Sequence, residues 1–249
     1  MRRALLLVAL VLPLAACGGG SKSSSGSSST PLDAVEAAAA KTAAAGSESM
    51  SLRANVNAGG QSVVMSGNGA FDTKNARGAM RIAFKAGPMA ASIQEVLTSN
   101  GVFLKSPLLA SDLPKGKTWM EIDVSKLHVA GMDIQSLLAQ DPATEFKNLQ
   151  LLKSATKVGT EQIGGVSTTH YRAQLDTSKL PASAAGLLSY DVWVGDDGYI
   201  HQVQVAAASP KVTMTIGLSN FGAKVTAAAP PASQVYVVKN IPGLGGLTS

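Results

Sequence analysis

Apolar and polar residues alternate with a period of two over much of the chain between residues 48 and 218. Such alternation is typical of antiparallel strands that turn one face to a core and the other to water. Gly59-Gly60, Gly164-Gly165 and Asp197-Gly198 interrupt the alternation and predict hairpin turns, the last of them of type I′. The apolar positions that define the predicted faces are Leu52, Ala54 and Val56; Val63, Met65, Gly67, Gly69 and Phe71; Met80, Ile82 and Phe84; and Val212, Met214, Ile216 and Leu218.

The remaining strands and one loop follow from the same pattern. Residues 107–117 are predicted to form a loop, because they include two prolines and a glycine. Gly67-Asn68-Gly69 lies within a strand, where glycine indicates a bulge or kink of the sheet and not a nucleotide-binding turn. Further strands are predicted over 90–96, 101–105, 118–124, 155–163, 166–176, 190–194 and 199–206.

Helical signals occur at three places in the chain. The first is Thr30-Pro31-Leu32-Asp33, which combines an N-cap threonine, a proline at the first helical position and an acidic first turn; this helix is predicted to end before Gly46. Residues 134–140 and 144–152 are predicted to be helical, with Asp141-Pro142 separating them. A short helix is predicted within residues 178–189.

Residues 1–16 have the three parts of an export signal peptide. Arg2 and Arg3 form a positive region, an apolar stretch follows, and small residues precede Cys17. The apolar stretch is too short to span a bilayer, which needs about 20 apolar residues. Leu14-Ala15-Ala16-Cys17 resembles the bacterial lipobox, which implies cleavage before Cys17 and attachment of a diacylglycerol to its sulfur. Cys17 is therefore the predicted lipid attachment site; the alternative is a chance cysteine after an ordinary signal.

The rest of the chain divides into a tether, one domain and a tail. Residues 17–30 are predicted to be the lipidated cysteine and a flexible tether, because glycine and serine make up almost all of residues 18–30. Residues 31–238 are predicted to form a single domain, and residues 239–249 a flexible tail. No stretch after the signal reaches about 18 uncharged apolar residues, so no second membrane crossing is predicted.

Composition narrows the classes of function. The single cysteine excludes an internal disulfide framework and a cysteine-rich zinc site. The formal net charge of +5 falls to +3 when residues 1–16 are removed. The charged residues of the remaining chain are scattered, which argues against a nucleic-acid partner. The hydrophobic fraction of 45% includes 38 alanines, and only 4% of residues are aromatic. Small inward side chains leave either a groove suited to acyl chains or an ordinary filled core, and both alternatives stay open.

No group of residues predicts catalysis. His128, His170 and His201 lie on different predicted elements, and none has a second histidine or cysteine three to five residues away. Asp196-Asp197 belongs to a predicted turn, and Glu121 and Asp123 share the face of one strand, where they are expected to be solvated. No catalytic residue, cofactor or metal site is therefore predicted, and the chain is not expected to be an enzyme.

Several segments in order have a counterpart in a known family. They are residues 117–123 (KTWMEID), 159–166 (GTEQIGGV), 169–171 (THY), 192–194 (VWV) and 221–222 (FG). With the lipobox, the tether and the first helix, they resemble the LppX/LprG-type actinobacterial lipoproteins, which have a LolA-like fold. Over residues 31–238 the resemblance implies an α+β fold, in which a strongly curved antiparallel sheet forms a half-barrel and helices close its concave side around an apolar cavity.

The resemblance also implies a function, because some members of the family carry lipids or acylated glycolipids across the envelope. The expected protein is an exported lipoprotein on the outer face of the bacterial cell membrane, held there through diacylglyceryl-Cys17. It is expected to be a non-catalytic carrier or binding protein for a lipid, glycolipid or other hydrophobic ligand. The alternative is a structural or interaction lipoprotein of the envelope, with a filled core and no lipid cargo. Candidates for capping the open side of the sheet are Leu108, Leu109, Leu137, Leu138, Leu187 and Leu188.

Overall fold

A computed structural model describes residues 30–58, 60–99, 101–122, 128–129, 132–133, 152–175, 187–207 and 211–238. The predicted signal peptide, Cys17, the tether and the tail over 239–249 lie outside the described residues. So do the predicted helical segments over 134–140, 144–151 and 178–186. Within the described ranges, no helix is long and apolar enough to cross a membrane.

The first helix, α1, covers Pro31–Ala44 and confirms the prediction at both ends. The Thr30 hydroxyl accepts a hydrogen bond from the Asp33 amide, and the Asp33 carboxylate accepts one from the Thr30 amide. This capping box satisfies two of the amides that a helix leaves free at its N-terminus. Gly46 follows the helix with a φ of 74°, a conformation that glycine adopts without steric cost.

Twelve strands form one open sheet, in the order β14-β6-β5-β4-β3-β2-β1-β13-β12-β11-β10-β9. Neighbouring strands are antiparallel except for β14, which pairs in parallel with β6. A separate hairpin contains β7 (His128–Val129) and β8 (Met132–Asp133). The strands of the large sheet are β1 (Ser47–Ala58), β2 (Gln61–Asp72), β3 (Arg77–Ala86), β4 (Met89–Thr98), β5 (Gly101–Lys105), β6 (Trp119–Ile122), β9 (Leu152–Ile163), β10 (Val166–Leu175), β11 (Leu187–Gly195), β12 (Ile200–Ala207), β13 (Lys211–Ser219) and β14 (Val235–Val238).

Helix α1 packs on one face of this sheet, which we call the inner face; the opposite side is the outer face. Val35 and Ala38 of α1 form the core together with inner-face residues of β1 and of the strands beside it. The buried strand residues in this core are Met50, Leu52, Met80, Val192, Ile200, Ile216 and Leu218. Four register shifts interrupt the ladder, two between β9 and β10 and two between β11 and β12, and such irregularities increase the local twist of a sheet.

Of the two hairpin turns at Gly164-Gly165 and Asp197-Gly198, the first has the predicted geometry and the second does not. Gly164 and Gly165 both have positive φ values of 59° and 85°, which a two-residue type I′ turn requires. The turn at Asp197-Gly198 is longer than predicted: the Gly195 amide donates to the Tyr199 carbonyl, and only Gly198 has a positive φ, of 78°. The type I′ prediction for this turn is therefore wrong, although the hairpin is present.

Other differences arise where pairing between distant strands overrides the local pattern. Gly67-Asn68-Gly69 forms neither a bulge nor a break, because β2 pairs with β1 and β3 without any register shift. Leu152, predicted as the end of a helix, begins a strand that pairs with Leu175. Residues 187–189, at the end of the range predicted to hold a short helix, begin a strand that pairs with β12. The predicted loop over 107–117 contains a short 3₁₀ helix at Pro107–Asp112. Strand β14 was not predicted at all.

Candidate ligand-binding face of the sheet

The inner face is rich in methionine. Residues that are directly paired across neighbouring strands lie on the same face, so the register assigns every strand residue to one side. In the large sheet, every methionine of the described strands falls on the inner face. They are Met50, Met65, Met80, Met89, Met120 and Met214. Because a methionine side chain is unbranched and polarizable, it adapts to irregular apolar surfaces.

Burial divides the inner face into two regions. Beneath α1, Leu52 is only 3% exposed and Val192 only 1%. Across β2–β5 most apolar inner-face residues are half-buried, although Met80 is 9% and Met89 44% exposed, and we call the half-buried region the half-buried inner face. It consists of Val63, Met65, Ile82, Phe84, Ile93, Leu97 and Leu104. This region is a continuous apolar surface that lies outside the core beneath α1 and is only partly buried.

Two glycines of β2 make room for their neighbours on this face. A Cβ atom at Gly67 would lie 2.9 Å from Met80 Cε and 3.2 Å from Ile82 Cγ1. At Gly69 it would lie 2.6 Å from the Ala79 carbonyl oxygen, closer than real Cβ atoms approach. These glycines therefore permit a close approach of the β2 and β3 side chains, and do not mark a kink.

Glu48 places a carboxyl group in the buried part of the inner face. It pairs with Phe71 across β1 and β2 and is 3% exposed. Its Oε1 atom has no hydrogen-bond partner among the described residues. Burial raises the pKa of Glu48 to about 7, and the negative charge of nearby Asp72 adds to the effect. Near neutral pH a large share of this carboxyl is therefore protonated.

Glu95 is a second inner-face acid and lies closer to the half-buried inner face. It pairs with Met80 of β3 on one side and with Leu104 of β5 on the other. Burial between these apolar neighbours raises its pKa above the ordinary value for glutamate. A protonated carboxyl in such a place is able to donate a hydrogen bond to an ester, amide or hydroxyl oxygen.

The histidines with described side chains lie away from this face. On the outer face His170 stacks on the Trp193 ring, with centroids 4.3 Å apart. Its Nε2 is 2.9 Å from Asp191 Oδ1, which also accepts a hydrogen bond of 3.0 Å from Arg172 Nε. The cluster is held by interactions among its own side chains, and none of them reaches the inner face.

His201 belongs to a second cluster near the β11–β12 turn. Its Nε2 lies 3.0 Å from Asp197 Oδ2, and its ring meets Phe221 edge-on. Tyr199 stacks on Phe221, and the Lys41 ammonium lies 4.5 Å from the centre of the Tyr199 ring. This cluster joins the C-terminal end of α1 to the β11–β12 turn, and its role is therefore structural.

The other predicted residues fall in different places. Leu109 is half-buried and Leu108 is 37% exposed. Glu121 is half-buried on the outer face, opposite Phe103. The described part of the chain contains no group of three histidine, cysteine or acidic residues that could hold a metal ion. Cys17, Asp123, Leu137, Leu138 and the side chains of His128, Leu187 and Leu188 lie outside the described residues.

The sequence prediction missed the two inner-face acids. Glu48 continues the alternation of Leu52 and Ala54 by two steps, and Glu95 lies midway between Ile93 and Leu97. Both acids can be identified because each occupies a position that the alternating pattern assigns to an apolar residue. The same rule does not reveal how deeply each is buried, because that depends on α1 and on strands distant in sequence.

Comparisons with known proteins agree with this architecture. No family model matches the chain. Over 100 residues the chain is 34% identical to lipoprotein LprA of Mycobacterium tuberculosis, and the match covers 36% of this chain and 41% of LprA. LprA of Mycobacterium bovis matches equally well. The chain therefore aligns with less than half the length of these relatives.

Solved structures provide a second comparison. The crystal structure of LppX from Mycobacterium tuberculosis superposes with a TM-score of 0.52 at 14% identity, over 79% of this chain and 97% of LppX. LprF from Mycobacterium bovis gives a TM-score of 0.49 at 15% identity, over 80% of this chain and 96% of LprF. The similarity to LppX establishes a shared fold.

Proposed function

We propose that this chain is a member of the LppX/LprG-type lipoproteins with a LolA-like fold, and that it is a non-catalytic carrier that holds a lipid or another hydrophobic ligand against the inner face of its sheet. The observation that carries the proposal is the half-buried inner face, where apolar side chains of four neighbouring strands lie side by side without being fully buried. An acyl chain that covers such a surface removes it from water, and each buried CH₂ group stabilises the complex by about 0.8 kcal/mol.

The residues of this face suit a ligand that has many conformations. Met65 is half-buried and adapts its shape to a ligand, and Gly67 lets the Met80 side chain pack closely against β2. Glu95 supplies the polar contact, because its carboxyl in the protonated form donates a hydrogen bond to an ester or hydroxyl oxygen at the ligand's head. Apolar surface with a few placed polar groups is the usual design of a small-molecule site.

The proposal includes where the carrier works. Similarity to lipoproteins supports an exported, membrane-associated protein, and the attachment of diacylglycerol at Cys17 would hold it at the outer face of the cell membrane. Residues 18–30 then form the tether between membrane and domain. The predicted helices over 134–140 and 144–151 are the elements that we expect to close the concave side over the ligand.

The test compares two tryptophan substitutions at adjacent residues on opposite faces. Met65→Trp places an indole on the half-buried inner face, whereas Val64→Trp places it on the outer face, where Val64 is 49% exposed. The full chain is extracted with chloroform–methanol, which removes non-covalent lipid and leaves chains bound to Cys17 in place. Mass spectrometry then measures the lipid released from each protein.

We expect lipid from the wild type and from Val64→Trp, and at least about fivefold less from Met65→Trp, which corresponds to about 1 kcal/mol of overpacking. Circular dichroism confirms that both variants are folded. Equal lipid from the two variants would refute binding at this face. A wild type that carries no lipid would favour the structural or interaction lipoprotein instead.

A further inference from the structure

The outer face carries a row of polar side chains that the carrier function does not use. Asn68, Arg81, Gln94 and Lys105 are directly paired across β2, β3, β4 and β5, so their side chains stand next to one another. The Lys105 ammonium lies 5.7 Å from the centre of the Trp119 ring, which extends the row to β6. Five neighbouring strands thus contribute to one polar strip with an aromatic end.

A pocket of about 300 Å³ lies over this strip, at the lower end of the range for small-molecule sites. Most of the residues that line it belong to the outer face by their register, with Met80 and Glu95 lying between them in sequence. The lining residues are Asn68, Ala79, Met80, Arg81, Gln94, Glu95, Val96 and Trp119. The pocket is therefore separate from the inner face, on the other side of the sheet.

The charges at this pocket favour an anion. Arg81 and Lys105 form no ion pair with another described residue. Of these two cations only Arg81 lines the pocket, and the one acid that also lines it, Glu95, belongs to the inner face by its register. A guanidinium presents a planar set of donors that matches a carboxylate or phosphate with two parallel hydrogen bonds. The two positive charges lie on β3 and β5 with Gln94 between them, so one oxyanion on the strip is attracted by both.

The other groups favour a ring that carries hydroxyl groups. The amides of Asn68 and Gln94 each offer a donor and an acceptor, which is what a hydroxyl group requires. The Trp119 indole is half-buried and provides a flat apolar surface with an amphipathic character. An inorganic anion would use Arg81 and leave the amides and the indole without a role.

We propose that this outer-face pocket binds an acidic carbohydrate, a sugar ring that carries a carboxylate or phosphate group. Arg81 binds the acidic group, Asn68 and Gln94 bind ring hydroxyls, and Trp119 packs against the apolar face of the ring. The site would let the tethered domain hold an acidic glycan on its outer face while the inner face holds a lipid. It does not depend on the inner-face proposal, and the two are tested with different ligands.

The test is a titration of the full chain with glucuronate and with glucose 6-phosphate, followed by tryptophan fluorescence and by calorimetry. A detergent without sugar groups keeps the protein in solution, since a glycoside detergent would compete for the site. Trp119 and Trp193 are the two tryptophans, and Trp193 is only 5% exposed in the opposite half of the sheet. Trp119→Phe therefore assigns the signal: it should abolish the fluorescence change while calorimetry still detects binding.

We expect saturable binding with a Kd of about 1 mM, and glucose or inorganic phosphate alone should bind at least about tenfold more weakly. Arg81→Gln should weaken binding by about tenfold or more, which is the effect of losing a charge-assisted contact. Lys85→Gln is the matched control, because Lys85 is an exposed cation on the same strand and face as Arg81. It should leave Kd within about twofold.

Three results would overturn the proposal. Equal weakening by Arg81→Gln and Lys85→Gln would mean that general positive charge, and not this pocket, attracts the ligand. Equal binding of inorganic phosphate and glucose 6-phosphate would mean an oxyanion site that does not read the sugar. Absence of saturation with either sugar acid would mean that the pocket does not bind this class of ligand.

Discussion

At the scale of single residues, Glu48 decides how stability responds to pH. Its pKa is about 7 in the folded chain and near 4.5 in an exposed glutamate, so the folded state binds the proton more tightly than the unfolded state. Stability must therefore fall as pH rises from about 4.5 through 7, by at most about 3 kcal/mol from this group. Glu95, whose pKa burial also raises, acts in the same direction.

We predict that Glu48→Gln flattens this pH dependence, because a neutral amide cannot lose a proton. Urea unfolding at a series of pH values between 5 and 8 measures it, and the variant should gain stability relative to the wild type as pH rises. Asp112→Asn, at an exposed position, is the control and should leave the slope as it is. An unchanged slope in Glu48→Gln would contradict the burial of a neutral carboxyl at the end of β1.

At the scale of elements, one hydroxyl joins α1 to the sheet. Thr42 in the last turn of α1 is 4% exposed, and its Oγ1 accepts a 2.8 Å hydrogen bond from the Ile200 amide of β12. The same hydroxyl donates to the Ala38 carbonyl at 2.8 Å. Because the Ile200 amide is buried at the β11–β12 turn, no solvent is at hand to replace this partner.

We predict that Thr42→Val lowers the free energy of unfolding by about 1–3 kcal/mol, the cost of leaving a buried donor without a partner. Valine has nearly the shape of threonine, so the change isolates the hydrogen bond from packing. Thr42→Ser restores the hydroxyl and should recover more than half of the loss, as measured by denaturant unfolding. If Thr42→Val leaves the free energy of unfolding unchanged, the hydrogen bond does not hold the helix, and any loss in Thr42→Ser then measures the methyl contact.

Elements differ in how much of them the sequence alone can predict. The bounds of α1 and the Gly164-Gly165 hairpin follow from local chemistry, a capping box and two glycines with positive φ, and both predictions are confirmed. The apolar inner face follows from alternation and is confirmed across β1–β3 and β13. Strand β14 could not be predicted in this way, because its four residues owe their conformation to parallel pairing with β6, more than a hundred residues earlier.

The candidate site, too, is predicted by the sequence only in part. Alternation predicts that Met65 and Ile82 share a face with Leu52, but not how fully that face is covered. Exposure depends on where α1 lies across the sheet: α1 contacts β9–β12, whereas most apolar inner-face residues of β2–β5 stay half-buried. The outer-face row of Asn68, Arg81 and Gln94 depends on the register of three strands, which no single strand encodes.

At the scale of the whole molecule, β14 is the last described strand and forms one edge of the large sheet. The chain leaves β13 near the middle of the sheet and is held at the Gly222 amide, which donates to the Ser47 carbonyl at 2.8 Å. It reaches the far edge at Gln234, whose carbonyl accepts from the Thr118 amide at 2.9 Å. Strand β14 then covers the edge of β6, where Met120 is 3% exposed. An uncovered edge strand pairs readily with another molecule.

We predict that two C-terminal truncations behave differently. Removing residues 239–249 should leave stability and solubility unchanged, because β14 stays in place. Removing residues 235–249 takes away the pairing with β6 and uncovers Met120, which should cost about 2 kcal/mol and lower Tm by about 4–8 °C. Size-exclusion chromatography should then detect larger species formed through the free edge of β6. If both truncations are equally harmless, β14 is dispensable and the domain ends before residue 235; if both aggregate, the tail over 239–249 belongs to the folded domain.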